Sequence, residues 1–301
     1  MADHQWTTLT SELKDKNSPL LRYIRQEFPH TLVLRREFEA RSGRLLVEGG
    51  QAAAPTVGTA FDVMTMLILD STHKPTRFPP SFRWTKEHAL VGEYLTEVAV
   101  ASMQPHFTNP DVFYRCVWGL GLLTEVHRAF LPDAPINTIV RVNGSVEETL
   151  FAISNLMTND AIAQLMALRE VANVHLLPHL RQPLNLSPQF FAARTCAADA
   201  DLLADGTLID IKVQLGALDT SSGARKDVLK SSSVQQIVGY ALFDTYNENC
   251  IERIGIYSAR YGNLTTWPLQ QALEILAGKR VNLGFQREQV LDGMQHGFIF
   301  G

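Results

Sequence analysis

An aspartate and a lysine two positions apart close the run Ala198-Asp199-Ala200-Asp201-Leu202-Leu203-Ala204-Asp205-Gly206-Thr207-Leu208-Ile209-Asp210-Ile211-Lys212-Val213. Read with period two, Leu208, Asp210 and Lys212 share one face of a strand, and Ile209, Ile211 and Val213 share the other. The second face is wholly apolar and is expected in a core. The first sets a carboxylate beside an amine. Asp205-Gly206 is a two-residue hairpin signal, so the strand of Asp210 is expected to fold back beside the one carrying Asp201. Two carboxylates and one lysine then converge. Their oxygens suit a hard divalent cation, Mg²⁺ or Mn²⁺. A lysine beside that cation can orient a nucleophilic water and offset charge developing on a phosphate. A solvated surface hairpin carries the same residue types, so other segments must decide.

Three segments bear on the decision. Val234 to Phe243 reads as a helix with Gln236 and Tyr240 at i and i+4, hence on one face, and Ser231, Ser232 and Ser233 stand before it as candidate N-caps. Val57 to Leu69 reads as a strongly apolar helix in which Asp62 is the one charge. Burying that acid is costly unless it is paired or bound to a metal; alternatively it faces solvent near the helix start, where the dipole favours an acid. Glu93 and Glu97, on a helix from about Lys86 to Met103, are rivals for the same role. Finally, Ile254 to Arg260 reads as a strand, Tyr261-Gly262-Asn263 as a turn and Leu264 to Trp267 as the return strand. Arg260 is left open between a phosphate contact and a solvated charge.

In order, the chain carries Gly-x-x-x-Asp on a helix (Gly58, Asp62), an aspartate on a strand (Asp201), Asp-x-Lys on the next strand (Asp210, Lys212) and Gln-x-x-x-Tyr on a helix (Gln236, Tyr240). This resembles the PD-(D/E)XK nuclease superfamily, and within it the RecB-like branch. The resemblance covers positions 56 to 70 and about 197 to 267. It implies an α/β fold of the restriction-endonuclease-like kind, a mixed sheet flanked by helices, here with a large helical insertion. It implies Asp62, Asp201, Asp210 and Ile211, the last through its main-chain oxygen, as metal ligands for Mg²⁺ or Mn²⁺. Asp201, Asp210, Lys212, Gln236 and Tyr240 become the catalytic set. Asp62 stands where the branch has histidine, the proline of the family's name is absent before Asp201, and Asp199, of the same strand parity, rivals Asp201. Some members of the branch hold an iron–sulfur cluster; Cys116, Cys196 and Cys250 are isolated and do not suggest one. The implied activity is metal-dependent cleavage of phosphodiester bonds, in DNA, as in repair, recombination or defence against foreign DNA. The alternatives are an RNA-directed nuclease of the same fold and a non-catalytic nucleic-acid-binding protein. A protein partner required for activation is left open.

The remaining composition bounds these readings. The chain has 301 residues, 46% hydrophobic and 19% charged, as an ordinary globular protein has. A net charge of −4 argues against broad non-specific binding to nucleic acid, which needs lysine and arginine. Basic residues still gather at Arg35, Arg36, Arg41 and Arg44, and at Arg225, Lys226 and Lys230 within a Ser/Gly-rich stretch that reads as a flexible loop. Three cysteines without paired spacing suggest a reducing compartment, Met1 to Trp6 has no signal pattern, and no apolar run reaches the roughly 18 residues of a membrane span, so a cytoplasmic protein is expected. From about Glu87 to Leu176 the pattern is helical, with helices expected at Asp111 to Phe130, at Ser145 to Met157 behind an approximate capping box, and at Asn159 to Val171. The expected organisation is a single domain over 1–301, a helical insertion at about 86–185 and a sheet core over 190–301. No phosphate-binding loop, zinc-protease motif or hydrolase elbow occurs, and His175 and His179, with Pro178 between them, read as loop residues rather than a zinc pair.

Overall fold

The computed structural model describes residues 4–75, 86–109, 111–128 and 156–300, with positions 136, 148 and 151–153 between the last two stretches. In chain order the elements are α1 (Leu9–Glu12), α2 (Pro19–Glu27), α3 (Thr31–Arg41), α4 (Ala54–Leu69), α5 (Lys86–Ser102), α6 (Asp111–Arg128), α7 (Asn159–His175), β1 (Leu184–Leu186), β2 (Leu202–Ala204), β3 (Thr207–Lys212), β4 (Ala217–Leu218), β5 (Arg225–Lys226), α8 (Ser231–Phe243), β6 (Arg253–Ser258), β7 (Asn263–Pro268), α9 (Leu269–Ala277) and α10 (Leu283–His296). They divide into two compact units. One comprises Met1–Leu45, Pro178–Lys212 and Gly216–Gly301; the other comprises Leu46–Leu177 and Val213–Leu215.

The first unit is a mixed α/β layer structure. Its sheet has the order β1-β2-β3-β6-β7, in which only the central β3–β6 pair is parallel. A parallel pair needs a crossover, and α8 supplies it. The β2–β3 hairpin closes on Asp205 and Gly206, both at positive φ (45° and 70°), the backbone that a tight right-twisting hairpin demands. β6 and β7 are joined through Gly262 at φ 62° and pair from Ser258↔Asn263 to Arg253↔Pro268. Leu208, Ile254, Ile256 and Trp267 lie on one face of this sheet by register, and they enter the core with Ile237, Val238, Ala241 and Leu242 of α8.

Several expectations need correction. The main core lies on the face of Leu208 and Asp210, not on that of Ile209 and Ile211, although those two are also buried. An acid at the edge of the core face is therefore shielded from water, which a solvated hairpin would not impose. Ser231, Ser232 and Ser233 are not caps: α8 starts at Ser231, its N-cap position is Lys230, and no side chain caps it. The proline-punctuated connection contains β1, and the basic loop contains the short β4–β5 hairpin, because two- and three-residue strands are too short to show a period. α7 begins behind Thr158 as expected, with Thr158 Oγ1 accepting from Ala161 N at 3.2 Å, but runs on to His175. His175 is thus helical, while His179 ends a 3₁₀ turn.

The second unit, as described, packs α4, α5, α6 and α7. Gly121 of α6 lets the backbones of α4 and α6 approach: a Cβ there would stand 3.0 Å from Ala60 N. Ala60, Phe61, Met64, Leu95, Val117 and Leu120 are buried. Most of the helix expected at Ser145 to Met157 lies outside the described residues. No helix among the described residues is long and apolar enough to cross a membrane.

Candidate active site

The β2–β3 register sets Leu202 opposite Ile209, so Asp201, one residue earlier, adjoins Asp210. Asp201 Oδ2 accepts a hydrogen bond from Ile211 N at 2.6 Å. In a strand the N–H and C=O of one residue point to the same side, which turns the Ile211 carbonyl toward Asp201. Lys212 O is turned the other way and accepts from Ala259 N at 2.9 Å.

Asp210 is 2% exposed, and its Oδ2 lies 2.7 Å from Lys212 Nζ. The pair is close but poorly aligned, so no directed donor reaches that buried oxygen. Burial pushes the Asp210 carboxyl up to about 6 against the pull of Lys212, and the neighbouring Asp201 charge pushes the same way as burial. Lys212 Nζ also donates to Gln236 Oε1 at 3.1 Å. An ammonium only donates, which fixes the amide orientation: Gln236 Nε2 then donates to Tyr240 Oη at 2.8 Å, and Tyr240 Oη donates to Asp199 O at 2.8 Å. The chain of donors runs one way, from lysine to main-chain carbonyl. Burial, followed by Asp210 and Asp201, holds the Tyr240 phenol well above its ordinary range, so it stays protonated and can donate. Phe190 stacks on the Tyr240 ring at 5.8 Å.

Asp201, Asp210, Lys212, Gln236 and Tyr240 are thus brought together in the first unit. Asp199 joins through its carbonyl, its side chain being exposed. Asp62 belongs to α4 of the second unit, half-buried, with Oδ1 shielded from solvent; Glu93 and Glu97 are exposed on α5. Arg260 is 2% exposed and is not a solvated charge. Lys226 is paired with Asp219 at 2.7 Å and Arg225 donates to Gly216 O at 3.4 Å, so part of the basic loop's charge is committed locally.

Among the described residues no group of three or more His, Cys, Asp or Glu side chains gathers as a metal site. A small hard cation asks for less: one or two carboxylates, with water or phosphate completing the shell. Asp201, Asp210 and the Ile211 carbonyl meet that requirement, and the undirected buried oxygen of Asp210 is the atom that such an ion would satisfy.

Two neighbours of the site carry no sequence signal of their role. Thr10 Oγ1 lies 3.5 Å from Gln236 Nε2. It is held there by Leu9, which packs against Gly239 and whose N–H donates to Ala197 O at 2.8 Å. Glu12, buried at the end of α1, accepts from Ser18 Oγ at 2.7 Å, from Thr7 N at 3.1 Å and from Thr7 Oγ1 at 2.9 Å, and bonds the His4 ring at 2.9 Å, locking the turn. Asp227 is buried between Ser42 Oγ (2.8 Å) and Ser258 Oγ (3.0 Å), and Ser258 is the register partner of Lys212. Its place directly after Arg225 and Lys226 made it read as part of a solvated loop. In comparisons with known proteins, no family model matches the chain, and no curated protein or solved structure matches it.

Proposed function

We propose that this protein is a divalent-cation-dependent nuclease of the PD-(D/E)XK kind, with DNA as its substrate. The observation that carries this reading is Lys212 Nζ held between Asp210 Oδ2 and Gln236 Oε1, with Asp201 on the adjoining strand. Lone Asp and Lys pairs are common on surfaces; a nearly inaccessible carboxylate beside a second acid and a tethered lysine is costly for stability and makes sense as chemistry.

Asp201, Asp210 and the Ile211 carbonyl, with Asp62 as the helix acid, would hold Mg²⁺ or Mn²⁺, which when bound polarises a phosphoryl oxygen and makes water a better nucleophile. Lys212 presents its N–H groups where negative charge grows on the phosphate and where the attacking water must be aimed. Gln236 keeps the lysine from collapsing fully onto Asp210, because its carbonyl competes for the same ammonium. Tyr240 in turn fixes the amide, so the lysine is positioned by a chain that ends on rigid backbone.

The test is cleavage of single- and double-stranded DNA and RNA by the purified protein with Mg²⁺, with Mn²⁺ and with EDTA, beside Lys212→Ala. DNA cleavage that needs the cation and disappears in the variant is expected. Cleavage confined to RNA would overturn the substrate. No Lys212-dependent cleavage of any of the four would overturn the enzyme, leaving a binding protein or a nuclease that a partner must activate.

A further inference from the structure

A second chemical locus lies in the first unit at the other end of the sheet. A cleft of about 510 Å³ opens between α3, the β7–α9 junction and the start of β6. Arg41 and Arg253 line it, together with Glu37, Thr266, Trp267 and Gln271. Arg253 stands five residues before Ser258, the register partner of Lys212, which is roughly 16 Å along the strand. It also has the opposite face parity, so this cleft is not an extension of the carboxylate site.

Its charge arrangement is what singles it out. Among the described residues neither guanidinium takes part in an ion pair. Arg253 Nη2 donates to Thr266 Oγ1 at 2.7 Å, which orients the fork and leaves the threonine O–H free to donate elsewhere. The one acid, Glu37, is committed: its Oε2 accepts from Trp267 Nε1 at 2.8 Å. The cleft therefore offers two cationic forks, a hydroxyl and the Gln271 amide against a single occupied carboxylate. Paired guanidiniums match a phosphate dianion in charge and in planar bidentate geometry. Pro268 and Ile275 add apolar wall, and the volume suits a ligand of nucleotide size.

We infer that the Arg41–Arg253 cleft is a binding site for a phosphate group, carried by a nucleoside monophosphate or supplied as free phosphate. The inference stands apart from the nuclease reading, because neither Lys212 nor the carboxylate pair takes part in it.

Isothermal titration of the full chain with AMP, inorganic phosphate and adenosine tests it. AMP should bind saturably and adenosine should not. Arg41→Gln and Arg253→Gln should each weaken AMP by about tenfold or more, the loss expected for one charge-assisted contact. Arg41 is exposed, so its variant folds even where Arg253→Gln does not. Tighter binding of AMP than of phosphate makes the nucleotide the ligand; equal binding makes it the phosphate ion. No heat from AMP or phosphate at millimolar concentration, or AMP binding unchanged in Arg41→Gln, overturns the site.

Discussion

Lys212 Nζ stands 2.7 Å from Asp210 Oδ2, yet the Asp210 carboxyl titrates above its ordinary range because burial outweighs the ion pair. The sign of the consequence follows. Folded Asp210 holds its proton up to about 6, against 3.8 as the reference, so between these values the native state binds more protons than the unfolded one. Stability contributed by this group is therefore lost as pH rises through that window and stays low above it. In EDTA near neutral pH, Asp210→Asn should be more stable than wild type by about 1 kcal/mol, part of the gain being offset by the orphaned lysine. The difference should vanish below the window. Urea midpoints at the two pH values measure it, and an unstabilised variant at neutral pH contradicts it.

Adding Mg²⁺ should reverse the order. A cation bound only to the native state raises stability by mass action, about 2.7 kcal/mol at a hundredfold excess over its dissociation constant. Thermal melts should move upward with Mg²⁺ for wild type and stay put for Asp210→Asn. Equal shifts in both proteins would place the ion elsewhere.

The donor chain predicts graded losses of cleavage. Lys212→Ala removes the group that meets developing charge and should cost about 10²–10³ in kcat. Gln236→Ala, which only releases the lysine, should cost about tenfold, and Tyr240→Phe less, with the Mg²⁺ dependence of the melt unchanged in all three. A Tyr240→Phe loss equal to that of Lys212→Ala would give the phenol a direct role instead.

Arg287, 4% exposed on α10, donates to Ala241 O at 3.1 Å and to Asn247 Oδ1 at 2.9 Å, and pairs with Asp244 Oδ2 at 3.2 Å. Arg287→Ala strands a buried carboxylate and should cost about 3 kcal/mol. The double change Arg287→Ala with Asp244→Asn should recover part of that in a urea titration, and full additivity of the two would show the pair to be uncoupled.

The site was legible where chemistry is local. Asp201, Asp210 and Lys212 are tied by a hairpin whose turn residues announce themselves, and Gln236 and Tyr240 by helical spacing. What periodicity could not give was which sheet face holds the core. Leu208 and Ile209 are equally apolar, and the choice depends on α8 packing over the Asp210 face. Nor could it give Thr10 or Asp227, whose roles arise from contacts 226 and 31 residues away in the chain. The two-residue strands β4 and β5 and the burial of Arg260 are likewise products of tertiary packing, with no pattern of their own.

The first unit is discontinuous in sequence: its opening 45 residues and its sheet are separated by the whole of the second unit. Trp6 Nε1 donates to Met294 O at 2.9 Å, across 288 positions. During synthesis, at about 5–20 residues per second, the opening helices must wait for partners that do not yet exist, while the helices of α4 to α7 are already complete. The Lys212–Gln236 geometry then forms among the last contacts, after Leu9 has a Gly239 to pack on. A nascent or prematurely ended chain would carry every proposed catalytic residue up to Lys212 and yet have no assembled site.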